Sequence, residues 1–220
     1  MYNNQTIGRS QESVLSTNKV LRNTYTLLSM TLVFSAIMAY IGVVTQASFG
    51  GALIANIAAI GLLWFVLPRT ANSGAGIGVV FAFTGLLGYG LGPILSYYIA
   101  VNPSIIMTAL GGTGVIFLGL SGYALTTRKD FSFMGAFLMV GLFVIIGAAV
   151  LNIFMNIPAL GLAISAGVMI IMSGLILYQT SAIIHGGETN YIMATASLFL
   201  SILNMFTALL HILGAFSGDD

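Results

Sequence analysis

Cysteine is absent from this 220-residue sequence. Disulfides and thiolate chemistry are therefore excluded, although the compartment is not named by that absence. Charge is nearly as scarce. Asp, Glu, Lys and Arg make up 5% of the chain, where a soluble domain carries roughly 25%. Too few charges remain to solvate a surface, so lipid must be the solvent. Six basic residues stand against five acidic ones, a net charge of +1 that gives no reason to expect nucleic acid as a partner. No group of His, Asp and Glu has metal-ligand spacing, and neither a metal nor another cofactor is expected. No charged residue lies deep inside an apolar run, where proton- and ion-coupled pumps usually keep one.

What is present is apolar. Apolar residues reach 58% and the mean hydropathy is +1.05. A spanning helix needs about 20 mostly apolar residues. Seven such runs occur, at roughly 24–46, 51–67, 77–99, 104–125, 131–155, 160–183 and 191–214; the second is short. The runs are unbroken rather than alternating, which predicts helices and not a barrel. The expected fold is an all-α integral membrane bundle of seven transmembrane helices. Residues 1–22 read as a retained polar tail, because the first apolar run is too long for a signal core. Residues 23–214 form the membrane domain, and 215–220 a short tail beyond it.

Basic residues in short loops set orientation. Arg9, Lys19, Arg22, Arg69, Arg128 and Lys129 all fall on one side if seven spans alternate, and the opposite loops carry no charge. The N-terminus is therefore expected in the cytoplasm and the C-terminus, with Asp219 and Asp220, outside.

Helices associate in lipid through close packing and buried polar contacts. Thr84, Gly88 and Gly92 recur every four residues in span three. Pro93 then removes a backbone donor and should bend the span, as a packing kink or as a hinge at Gly92 and Pro93. In span seven, Ser197, Ser201, Asn204, Ala208 and His211 fall within about 40° of one direction at 100° per residue. That stripe should face the interior, either as interhelical hydrogen bonding or as the wall of a polar cavity or ion path. Asn152 and Asn156 form a second polar pair open to the same two readings.

Catalytic readings fail on geometry. GLSG at 119–122 and HILG at 211–214 are similar to intramembrane protease motifs, but Ser121 and His211 should differ in depth by about 20 Å. HGG at 185–187 lacks the serine elbow that a lipase oxyanion loop requires. Gly186 and Gly187 more simply end span six, and Thr189 or Asn190 caps span seven. No catalytic residue is assigned.

Three segments carry a resemblance: GLLGYGLGPIL at 85–95, ALGGT at 109–113 and SGYALTTRKDFSFMG at 121–135. With them the chain resembles the Bax inhibitor-1 family of seven-helix membrane proteins over nearly its whole length. STNKVLRNTYTLLSMTLVFSA at 16–36 and IIHGGETNYIMAT at 183–195 look most like that family's bacterial inner-membrane modulators of the FtsH protease. The resemblance implies a non-enzymatic protein that binds FtsH and restrains its degradation of membrane proteins, engaged through a cytoplasmic tail. It also implies an alternative, since some members are pH-sensitive calcium leaks built on two aspartates and an arginine. The matching positions here are Gln179, Ser201 and, near the arginine, Arg69. Neither Gln nor Ser titrates, and calcium prefers several carboxylate oxygens, so a leak to calcium or another cation should be weak or absent.

Overall fold

In a computed structural model, residues 3–217 are described, with side chains from residue 19 onward. Asp219 and Asp220 lie outside the described residues. Among the described residues the chain is helical and holds no strand. Helix α1 runs Asn3–Val44, so the polar tail and the first span share one helix. It is followed by α2 (Phe49–Gly61), α3 (Leu67–Thr70), α4 (Ala75–Gly90), α5 (Gly92–Val101), α6 (Ser104–Thr127), α7 (Gly135–Met155), α8 (Pro158–Ile184) and α9 (Tyr191–Phe216). Together they supply seven segments long and apolar enough to cross a membrane. Large apolar side chains such as Phe154 (82% exposed) and Trp64 (71%) cover the outside. Lipid accepts such a surface and water would not.

Two spans are broken, each by a proline. The second span runs Phe49–Thr70, longer than the apolar run suggested. Pro68 has no N–H, and its ring crowds the carbonyl four residues back. The helix widens just before it into a π-turn over Leu62–Val66, where the Leu67 N–H reaches the Leu62 carbonyl. α2, the π-turn and α3 thus form one span. In the third span, Pro93 follows a break at Leu91, whose N–H bonds to the Gly88 carbonyl at 3.0 Å. α4 and α5 meet there.

Turn chemistry closes the other helices. Arg128 (φ 50°) ends α6, Asn156 (φ 49°) ends α7, and Gly186 (φ 76°) turns the chain after α8. Asn190 caps α9, accepting from the N–H groups of Ile192 and Met193 at 2.9 and 3.1 Å. The Asn152–Asn156 pair, expected between helices, serves the turn as well: Asn152 Oδ1 accepts from the Ile157 N–H at 3.0 Å.

α9 is the most enclosed helix, surrounded by α1, α4, α6 and α8, while α7 packs mainly on α8. Phe83 of α4 and Phe199 of α9 meet edge to face at 5.7 Å near the centre. α1 and the α4–α5 pair approach almost backbone to backbone. A Cβ on Gly92 would lie 2.8 Å from the Gly42 carbonyl carbon, one on Gly42 2.7 Å from the Tyr89 oxygen, and one on Gly88 would collide with the Ser35 carbonyl. Small residues thus do for this bundle what apolar burial does in water.

That contact generates a prediction. Gly88→Ala should destabilise by about 1–3 kcal/mol through overpacking. Gly111→Ala, on α6 with open space around it, should be neutral or stabilising by up to about 1 kcal/mol. Thermal unfolding of both variants in detergent reads the difference; equal effects would contradict the close approach of the helices.

Candidate functional site

The polar side chains that bond from one helix to another form two groups, one toward each end. The first lies about one to three turns inside the end that carries Lys19, Arg22, Arg69, Arg128 and Lys129. There Ser201 of α9 donates to Gln179 Oε1 of α8 at 3.2 Å and shares its proton with the Ser197 carbonyl at 3.1 Å. Ser201 is only 2% exposed. Next to Gln179, Thr180 pairs with the Tyr25 hydroxyl of α1 at 3.3 Å. Thr195 of α9 donates to the Tyr191 carbonyl at 2.7 Å and lies 3.3 Å from the Thr24 carbonyl of α1. The hydroxyls of Thr24 and Ser121 are buried here with no hydrogen-bond partner among the described residues. α1, α8 and α9 are thus tied by neutral groups alone.

The inward stripe of span seven divides in the structure. Ser201 and Ala208 are buried and Ser197 is half-buried, but Asn204 and His211 are exposed, and Asn204 returns its amide to the Leu200 carbonyl of its own helix at 2.9 Å. An asparagine can satisfy itself on the turn before it, so period alone did not decide its direction. Arg69 does not join Gln179 either. It is exposed, and its guanidinium turns back to the Phe65 carbonyl in the π-turn. Gly92 and Pro93 form the α4–α5 break, where backbone contact with α1 holds them.

His211 belongs to the second group, at the other end. Its Nδ1 lies 2.8 Å from Ser165 Oγ of α8, and that hydroxyl donates to the Gly161 carbonyl at 3.1 Å. Either Ser165 Oγ or His211 Nδ1 can be the donor in the contact between them. The pair is a contact between α8 and α9. Ser121, the serine weighed for catalysis, lies near the first group.

Residues missed from the sequence are Tyr25, Thr180, Thr195 and Ser165. Single hydroxyls in apolar runs read as fillers that bond their own helix. The available signal was their common depth: Tyr25 opens span one, Thr180 adjoins Gln179, and Thr195 lies four residues into α9. The loops at the charged end are also stitched together. Asn190 donates to the Ala71 carbonyl at 3.0 Å and to Asn72 Oδ1 at 2.8 Å. An open cleft of about 430 Å³ lies at that junction.

A bundle of seven membrane-spanning helices, interrupted at a Gly-Pro in the third and tied by a neutral polar pair between the last two, defines an integral membrane protein. The chain belongs to the Bax inhibitor-1 family: the family model described as "Inhibitor of apoptosis-promoting Bax1" matches residues 17–218. A protein of Escherichia coli K12 named "Modulator of FtsH protease YccA" is 53% identical over 213 residues, covering 96% of this chain and 97% of the relative. A Vibrio cholerae protein named only as an uncharacterized membrane protein is 52% identical, covering 96% of each chain. A Pseudomonas aeruginosa relative, also uncharacterized, is 48% identical over 91% of each.

The polar pair is testable by itself. A double-mutant cycle on Gln179→Ala and Ser201→Ala should give a coupling of about 0.6 kcal/mol, and at most about 1.7, the range for hydrogen bonds between membrane helices. Neither group titrates, so the coupling should be the same at acidic and neutral pH. Unfolding in bicelles measures it; strict additivity, or a coupling that follows pH, would contradict the pairing.

Proposed function

We propose that the protein is a modulator of the FtsH protease in the bacterial inner membrane, and that it acts by binding the protease and restraining its degradation of membrane proteins. The observation that carries this reading is the 53% identity, over nearly the full length of both chains, to a relative named for that role. A relative from a second Escherichia coli strain, also 53% identical, is named as an inner membrane protein. The polar interior supports a binding role over an enzymatic one. Its side chains join helices to one another, as Ser201 does with Gln179 and Ser165 with His211, and Ser121 Oγ has no hydrogen-bond partner among the described residues.

The charged end is the cytoplasmic end in this reading. Positive charge is retained on that side during insertion. α1 leaves the membrane there and continues toward Asn3 as helix. That gives a helical segment at the same end as the loops tied by Asn190 and Ser181, on the side where an ATP-driven protease would meet it. The membrane domain of 23–214 then serves as anchor and partner surface, with the tail as the point of engagement.

A leak for calcium is the second reading, and Gln179 speaks against it. At the position where leak members carry a carboxylate, this chain has an amide that bonds to a serine. A neutral pair cannot be opened by proton exchange and offers calcium a poor ligand set.

Affinity purification of tagged protein from solubilised membranes should recover FtsH, and overproduction should lengthen the half-life of a membrane protein that FtsH degrades. Loss of residues 1–18 should weaken both effects without removing the protein from the membrane. Absence of FtsH from the purified material, together with unchanged substrate turnover, would overturn the proposal.

A further inference from the structure

The loop between α6 and α7 carries two adjacent exposed cations, Arg128 and Lys129. Its main chain is gripped from the side. Ser181 of α8, 1% exposed, accepts from the Phe131 N–H at 3.0 Å and lies 3.3 Å from the Lys129 carbonyl, to which it donates. His185, one turn on, donates from Nδ1 to the Ser181 carbonyl at 2.9 Å. One buried serine therefore holds the backbone on both sides of Asp130. The carboxylate beside the cations is occupied elsewhere. Asp130 Oδ1 accepts from the Ser132 N–H at 2.8 Å, at the turn that opens into α7. That bond, with a smaller contribution from His185, holds its carboxyl below the ordinary carboxylate range. The flanks are apolar. Phe133 is 78% exposed at the start of the fifth span, and Tyr123, also exposed, lies one turn before the end of α6.

We propose that this loop is a binding site for an anionic phospholipid headgroup, with Arg128 and Lys129 as the phosphate-binding cations and Ser181 as the residue that positions them. Arg presents a planar fork suited to phosphate and Lys a compact point charge. The loop joins two membrane spans that end at Thr127 and begin at Ser132, so its cations lie in the headgroup layer. The exposed aromatic rings on either side mark the same boundary. That placement favours a lipid over a soluble phosphate. Clamping by Ser181 matters because a loop already ordered does not lose that freedom on binding. The loop keeps a net positive charge with Asp130 ionised, and the site requires no proton exchange.

Full-length protein in detergent, titrated with phosphatidylglycerol or phosphatidylcholine and read by native mass spectrometry, tests the site. The wild type should bind phosphatidylglycerol more tightly. A surface cation contributes about 1 kcal/mol to anionic lipid attraction, so R128Q/K129Q should weaken phosphatidylglycerol binding about thirty-fold and leave phosphatidylcholine unchanged. Asp130→Asn keeps a capping side chain and should strengthen it. Ser181→Ala changes no charge and should reduce the preference. K19Q/R22Q removes two cations from the same end of the bundle and should retain the preference, and millimolar inorganic phosphate should not displace the lipid. Equal binding of the two lipids by the wild type, a preference that survives R128Q/K129Q or Ser181→Ala, an equal loss in K19Q/R22Q, or displacement by phosphate would overturn the assignment.

Discussion

Lipid supplies no hydrophobic force between helices and no water for the backbone, and every feature of this bundle follows from that constraint. Backbone groups are satisfied inside the helices, and where a proline removes a donor the chain repairs the ladder on the spot. At Pro68 the repair is a π-turn, and at Pro93 a break closed by the Leu91 N–H. Cohesion comes from removing side chains where helices must meet. Gly42, Gly88 and Gly92 let α1 and the α4–α5 pair touch through backbone. Hydroxyls and amides then tie α9 to α8 and to α1.

The sequence made the architecture legible because a membrane reads sequence coarsely. Seven apolar runs and one-sided basic loops predict seven spans, and the spans occur close to the expected limits. The second span is longer than its apolar run, because a widened turn carries the helix past Pro68. The candidate site was legible in part. Gln179 and Ser201 were singled out together through family resemblance, and they meet. Periodicity placed Asn204 and His211 with them, but a helical stripe fixes only direction around the axis. Asn204 is held by its own helix, and His211 lies at the far end against Ser165. Arg69 is drawn away by the Phe65 carbonyl in the π-turn, which the residue pattern did not reveal. Tyr25, Thr180 and Thr195 escaped notice because a lone hydroxyl in an apolar run usually bonds its own helix.

Charge that is absent decides what the interior can do. A carboxylate pair between the last two helices would make the bundle responsive to protons and attractive to calcium. Gln179 and Ser201 keep the hydrogen bond and discard both properties. The bundle is then a neutral scaffold whose charged side chains, among the described residues, lie at one end, the end of the α6–α7 loop, the Asn190 junction and the start of the first span. Function at that end is a matter of what binds there, which agrees with a protein that modulates a protease.

Calcium flux into proteoliposomes, compared at acidic and neutral pH, measures that claim most directly. A neutral, hydrogen-bonded interior predicts flux equal to that of protein-free vesicles at both pH values. Flux above that background, rising or falling with pH, would contradict it and restore the leak as the protein's activity.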